Sequence, residues 1–329
     1  MNKLFGLVGV LAASVLAVGA AGTAGAQSDA GQTITLIVPY PPGGGIDPAA
    51  RVYAEALSEQ LGQKIVVQNQ GGASGQIGTA RAARSAPDGN TLLFGSVAPN
   101  VILPAAYGSK LPYDAQKDFA PIGLIAEANY VLLVSTAVKV ESLQDLIEHG
   151  KQARDPITYA SSGTLGGPHL AGALLGQKSG LNLTHVPYRG NGPALTALMG
   201  GEVTMMFDSA GGVAARGESD KYRVIAVSGN QPYKASGPVP NLGEVYPGHN
   251  VSQWYGLLAI AGTPPQVLQR LETAHHKAVN SPALQRRFRD MGLDVITDSG
   301  SAKFKQYIDS EIARWNDILT TAKIEVPPL

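Results

Sequence analysis

The sequence predicts an α/β protein made of two α/β domains, with parallel-rich sheets, around a cleft. Three observations carry that reading. Short β-branched and apolar runs alternate with helical patterns along the chain, as in largely parallel sheets. Two of these runs, one in each half, pass through a glycine-rich loop into a helix opened by proline. Setting aside a leader of 26 residues leaves 303 of the 329, more than one core usually organises.

Ile34-Thr35-Leu36-Ile37-Val38 reads as a buried strand, ended by Pro39-Tyr40-Pro41-Pro42 and Gly43-Gly44-Gly45. Asp47 then Pro48 starts a helix: the Asp side chain accepts from the first free amides, and proline at the first helical position loses no bond. That helix spans 48–61, with Ala50, Ala54, Leu57 and Leu61 on its apolar face, and Gly62 stops it. A helix N-terminus carries unpaired N–H groups and a partial positive charge, so this junction suits a small anion without any Lys or Arg. The plainer alternative is a tight turn before a capped helix.

A second strand at 64–68 leads through the glycine-rich loop 69–78 to a small-residue helix at 79–85. Pro87-Asp88-Gly89-Asn90 is a turn, and a third strand, 91–95, ends at Ser96. Residues 99–121 read as irregular, with a domain boundary after them. Residues 130–134 are strand-like, and Ser142 with Asp145 resembles a capping box ahead of Leu143, Leu146 and Ile147. The strand 157–160 runs into Ser161-Ser162-Gly163-Thr164-Leu165-Gly166-Gly167, and Pro168 opens a helix through Leu170, Leu174 and Leu175. A further strand precedes His185-Val186-Pro187-Tyr188-Arg189-Gly190, the next helix ends at Gly200-Gly201, and Thr204-Met205-Met206-Phe207 leads to Asp208. Residues 222–227 form a strand, 238–249 a loop, and 254–260 a strand returning to the first domain. Pro264-Pro265 and Pro282 each open a helix, and 301–322 is an amphipathic helix through Phe304, Tyr307, Ile308, Ile312 and Trp315.

Lys3, the apolar run 4–21 and Ala24-Gly25-Ala26 together read as a secretory signal peptide cleaved after Ala26. Its one charged residue is Lys3, which leaves 24 basic against 25 acidic residues and a net charge of −1. Nothing in that balance suggests nucleic acid or an anionic membrane surface. The absence of cysteine rules out disulfides, thiolate metal sites, a cysteine nucleophile and a lipid-modified N-terminal cysteine. The expectation is an exported chain with no membrane insertion after cleavage.

The Gly43-Gly44-Gly45 loop is not a nucleotide fingerprint, since it lacks both a Gly-Lys-Ser/Thr ending and the spaced glycines of a dinucleotide fold. Ser161 and Ser162 with His169 and His185 invite a secreted serine hydrolase reading. No G-x-S-x-G elbow surrounds either serine, however, and His169 reads as lying about two turns into a helix. His275-His276 diverge by about 100° on a helix, so exposed helix positions are expected there rather than metal ligands. Arg286, Arg287 and Arg289 read as solvated surface. No cofactor and no metal are expected.

Pro39-Tyr40-Pro41-Pro42-Gly43-Gly44-Gly45-Ile46-Asp47, Gly72-Ala73-Ser74-Gly75 and Ala86-Pro87-Asp88-Gly89-Asn90-Thr91-Leu92-Leu93 resemble the N-terminal half of the Bug proteins. These are the periplasmic solute-binding subunits of tripartite tricarboxylate transporters. The second half is similar as well: Tyr159-Ala160-Ser161-Ser162-Gly163, His169-Leu170-Ala171-Gly172, Val186-Pro187-Tyr188-Arg189-Gly190, Gly200-Gly201-Glu202-Val203 and Trp254-Tyr255-Gly256-Leu257. The resemblance implies a type II periplasmic binding protein fold, two α/β domains joined by crossover strands and closing on ligand like a flytrap. It implies a division into 27–128 with 254–329, and 129–253. It also implies a small organic acid as ligand, no enzymatic activity, a membrane permease as partner, and a monomer in the periplasm. Carried over by motif, the ligand contacts are Tyr40, Gly43, Gly44, Asp47, Ser96 and Asn100 on one side. On the other they are Ser161, Ser162, Gly163, Thr164, His169, Tyr188, Arg189, Gly190 and Asp208. Ile46 stands where many relatives carry a hydroxyl residue. A ligand sensor for a membrane receptor is the alternative use of the same site.

Overall fold

The structure is a computed structural model that describes residues 32–42, 46–217, 219–229, 238–321 and 324–329. Residues 1–26, read above as a leader, and the loop glycines Gly43 and Gly44 lie outside the described residues.

The chain alternates strand and helix as its periodicity requires. β1 (Ile34–Val38) leads to α1 (Ile46–Leu61), β2 (Ile65–Asn69) to α2 (Gln76–Ala83), and β3 (Thr91–Ser96) to a π-helical turn and α3 (Leu103–Tyr107). The long β4 (Phe119–Ser135) is followed by α4 (Leu143–Gln152), β5 (Ile157–Ser161), α5 (Gly167–Ser179), β6 (Leu183–Pro187) and α6 (Asn191–Met199). Then come β7 (Met205–Ser209), α7 (Ala210–Arg216), β8 (Tyr222–Ser228), α8 (Leu242–Val245) and β9 (Ser252–Ile260). α9 (Pro265–Val279), α10 (Pro282–Asp290), β10 (Asp294–Val295) and α11 (Ser301–Thr321) complete it.

The sheet order is β2-β1-β3-β9-β4-β7-β5-β6, with β8 and β10 also paired to β4. β1 pairs parallel with β2 and β3, and β5 pairs parallel with β6 and β7. β4 joins these two parallel groups. From Phe119 to Asn129 it pairs antiparallel with β9, and from Tyr130 onward with β7 and β8. The result is two half-sheets that share one strand.

Alternation along β1 explains the layers of the first half-sheet. Ile34, Leu36 and Val38 pack with α1, α9 and α10, whereas Ile37 belongs to the core on the other face with Trp254 and Phe304. Trp254 is fully buried and meets the α11 ring of Phe304 edge-on, 5.4 Å between centroids.

Four local expectations need correction. Residues 99–121 are not irregular: Ala98–Ile102 is a π-helical turn continuous with α3, and β4 begins at Phe119. Pro99 reads as a breaker but occupies the first turn, where a missing amide costs nothing, and Pro104 follows where the π-helical turn passes into α3. The loop 238–249 contains α8, capped by the Asn241 side chain accepting from the Gly243 amide at 2.9 Å. α7 was not anticipated, because its Gly211-Gly212 pair has poor helix propensity. His275 is fully buried rather than exposed: it lies on the inner face of α9 with Leu271, Ala274 and Ala278, 2.7 Å from the Tyr53 hydroxyl. His276 alone of that pair is exposed.

The capping box at α4 is present in a shifted form. Ser142 accepts from the Asp145 amide at 3.1 Å, and the Asp145 carboxylate accepts from the Glu141 amide at 3.0 Å, one residue before the cap.

Candidate functional site

β1 and β5 stand in equivalent places in the two half-sheets, and each releases a loop from its C-terminal end into a helix N-terminus. On the first side, the Tyr40 hydroxyl lies 3.2 Å from Ser96 Oγ. The Ser96 amide donates to Asn100 Oδ1 at 3.0 Å, which holds the fully buried Asn100 at the end of β3. Burial pushes the Tyr40 hydroxyl up to about 12, against a smaller opposing effect of Ser96, so it is a neutral donor at any ordinary pH. Asp47 is buried in the first turn of α1. Its carboxylate accepts from Asn69 Nδ2 at 2.9 Å and from Arg51 Nε at 3.2 Å, with a second Arg51 nitrogen 3.0 Å away. Arg51 therefore cancels a charge that would otherwise repel an anion. Asn69 Nδ2 also donates to the Tyr40 carbonyl at 3.2 Å and ties the loop to β2.

Sequence reasoning missed the tyrosines behind this loop. Tyr255 is the cross-strand neighbour of Ser96, and Tyr130 marks the point where β4 changes half-sheets, its hydroxyl donating to Gln253 Oε1 at 2.9 Å. Burial raises both hydroxyls, and Tyr40 adds to the rise at each. Aromatic residues on strands read as core, which is why their shared polar ends escaped notice. The Tyr130 ring also packs against Gly167, in the first turn of α5, where a Cβ would collide with it.

On the second side, Ser161 Oγ lies 2.6 Å from His185 Nε2 and donates to the Gly163 carbonyl at 3.0 Å. His169 sits in the first turn of α5, not two turns in, because Gly167 and Pro168 open that helix. Its Nδ1 accepts from the Leu165 amide at 3.0 Å, so the proton resides on Nε2, which is thereby a donor. The His169 and His185 rings stack 3.9 Å apart. Burial, then His185, lowers His169 to about 3, and burial lowers His185 to about 4. Both rings are neutral at physiological pH.

Asp208 ends β7 and is buried. Its carboxylate accepts from the Ser209 amide at 2.7 Å, from Asn191 Nδ2 at 2.6 Å and from the Arg216 guanidinium. Burial raises its pKa, opposed by Arg216. Arg216 and Asn191 are thus structural partners that the sequence did not reveal, since they lie 8 and 17 residues from Asp208. Ser162, Gly163, Thr164, Tyr188 and Gly190 are partly exposed, and Arg189 is exposed.

The two sides meet. Ser74 Oγ, between β2 and α2, donates at 3.3 Å to the Thr164 carbonyl in the loop after β5. The two loops and the strand ends beside them carry hydroxyls, amides and a neutral imidazole N–H, a donor set that suits an anion held by hydrogen bonds. It does not suit nucleophilic catalysis. Ser161 is buried and bonded to His185, and no carboxylate bonds to either histidine among the described residues, so the serine hydrolase arrangement is not present. No group of three or more His, Cys, Asp or Glu among the described residues could hold a metal, and no described helix is long and apolar enough to cross a membrane.

Comparison with known proteins identifies the family and the fold. Residues 49–324 match the family described as the tripartite tricarboxylate transporter family receptor. A UPF0065 protein encoded in the tcbD-tcbE intergenic region of Pseudomonas sp. strain P51 is 31% identical over 320 residues, 96% of this chain and 94% of its own. Among solved structures, the periplasmic binding protein BugD superposes with a TM-score of 0.79 at 29% identity, over 89% of this chain and 98% of its own. MatC from Rhodopseudomonas palustris with bound malate gives 0.77 at 29% identity, over 88% and 99%. R. palustris Rpa4515 with adipate gives 0.79 at 29% identity, over 89% and 97%. These relatives are solute-binding proteins rather than enzymes, and their fold is that of periplasmic binding proteins. The chain belongs to the tripartite tricarboxylate transporter receptor family.

Proposed function

We propose that the protein captures one small organic acid between the loop after β1 and the loop after β5, and delivers it to the membrane permease of a tripartite tricarboxylate transporter. The observation that carries this reading is the donor set on the two loops that meet at Ser74 and Thr164: the Tyr40 hydroxyl and the His169 Nε2–H are neutral donors, while Arg51 and Arg216 are each spent on a buried carboxylate. In a site shielded from water such donors stabilise an anion far better than in bulk. The proposed contacts are Tyr40, Gly43, Gly44, Ser96 and Asn100 on one side, with Ser162, Gly163, Thr164 and His169 on the other; Tyr188, Arg189 and Gly190, after β6, are left out of the set, Arg189 being exposed to solvent. Asp47, Ser161 and Asp208 act as supports that hold those loops in place. Residues 27–128 with 254–329, and 129–253, move as two bodies, hinged where β4 and the start of β9 pass between half-sheets. The leader 1–26 sends the chain to the periplasm.

MatC with malate and Rpa4515 with adipate make dicarboxylates the first probes. A thermal-shift panel of malate, adipate, acetate, benzoate and nicotinamide, with cationic and sugar controls, tests the reading. A true ligand at about a hundred times its Kd adds about 2.7 kcal/mol, several degrees in Tm for a protein of this size. Stabilisation by neutral or cationic solutes and by no carboxylate would overturn it.

A further inference from the structure

Among the described residues, the non-glycine residues with positive φ are Ala73 at 47°, Ser74 at 52° and Leu165 at 58°. All three sit at one place, the contact between the loop before α2 and the loop before α5. There Ser74 Oγ donates to the Thr164 carbonyl at 3.3 Å, across 90 residues of sequence and between the two half-sheets. Left-handed backbone is unfavourable for Ala, Ser and Leu, and it persists only where surrounding contacts impose it. The Thr164 carbonyl and the Leu165 amide belong to one peptide group. That same amide donates to His169 Nδ1 at 3.0 Å and so fixes which nitrogen of His169 carries its proton.

We propose that Ser74 is a latch and a positioning residue for the ligand site. By bonding the Thr164 carbonyl it holds the two loops closed, and through the 164–165 peptide it orients His169 with Nε2–H toward the ligand. A carbonyl that accepts a hydrogen bond makes the N–H of its own peptide a stronger donor, so closing the latch strengthens the bond to His169 Nδ1. Closure and ligand recognition are thereby coupled without Ser74 having to touch the ligand. The inference rests on the proposal that the two halves open and close.

The chain has no cysteine, so nitroxide labels can be placed uniquely at Arg84→Cys on one side and Gln177→Cys on the other, both exposed positions. Pulsed electron-spin distance measurements on this pair, without ligand, are expected to resolve open and closed populations. Ser74→Ala is expected to lower the closed-to-open ratio about fivefold, the size of one hydrogen bond. Ser74→Asn, which tolerates left-handed backbone and keeps a donor, is expected to restore the ratio. Ala73→Gly, which relieves strain in the latched form, is expected to raise it. Nitrogen-15 shifts of the His169 ring report its tautomer, which Ser74→Ala is expected to blur and Ser74→Asn to restore. Two populations left unchanged by Ser74→Ala, with His169 unmoved, overturn the latch and leave the opening and closing intact. A single distance in every variant overturns both.

Discussion

As pH falls from 6.5 to 4, the protein is expected to lose a large part of its stability. His169, His249 and His275 are buried, and burial is the first cause of the lowered pKa at each: about 3 for His169 and about 4 for the other two. His249 is buried although its Nε2 lies 3.0 Å from the Ala171 carbonyl, a bond that opposes the shift. A histidine whose folded pKa lies below its unfolded value of about 6.5 binds fewer protons in the native state. Its contribution is therefore fully present above pH 6.5 and is lost as pH falls through the interval down to the folded pKa. The differences from 6.5, about 3.5 pH units for His169 and about 2.5 for His249 and His275, are worth about 3 to 5 kcal/mol per residue, so the three together rival the whole stability of an ordinary domain. Urea unfolding at pH 7.5, 6, 5 and 4.5 reads this directly. The midpoint is expected to fall steeply below pH 6, and a midpoint that stays level from 7.5 to 5 would contradict the assignment of three neutral, buried imidazoles.

The second large effect is expected at Gly211. This residue, at the start of α7, presses backbone to backbone against Met291 and Gly292 at the end of α10, so a Cβ would overlap the Met291 carbonyl. Gly292 itself has φ of 66°, and a Cβ there would lie 2.3 Å from the Gly211 Cα, so the contact needs glycine on both sides. The contact joins an element of one half-sheet to an element of the other. Gly211→Ala is expected to lower stability by about 2–3 kcal/mol, as overpacking a tight contact does, and to enlarge the radius of gyration by prising the halves apart. Gly192→Ala, in α6 with open space around it, is the control and is expected to leave the radius of gyration unchanged and at most to raise stability slightly. A Gly211→Ala protein with wild-type melting and scattering would show that the two halves do not bear on each other here.

Most strands were legible because the chain punctuates them with Gly, Pro and Asn, and β1, β3, β5 and β9 fall within a residue or two of where periodicity puts them. β4 was not legible as one strand. Pro121, inside it, closes the stretch that reads as irregular, yet it sits beside Gly123 where the register with β9 shifts, so the bulge absorbs it. The loops of the site were legible as positions, since a strand, a glycine run and a proline-started helix are local. Their chemistry was only half legible. Asp47 with Arg51 follows the i,i+4 spacing of a helix, but the pairs Ser161 with His185 and Asp208 with Arg216 depend on which rotamers the packed loops allow, and nothing in the spacing of 24 and 8 residues selects them. The same applies to Tyr40 and Ser96, 56 residues apart.

The central claim is that one small acid is held by both loops at once, by neutral donors. A crystal structure of the protein with the carboxylate that stabilises it most in the thermal panel measures this directly. The account predicts a carboxylate between the N-terminal end of α1 and the first turn of α5, within hydrogen-bond distance of His169 Nε2 and of a donor from the loop after β1, with no Lys or Arg in contact. An acid bound to one half alone, or paired with a free guanidinium elsewhere, would contradict it.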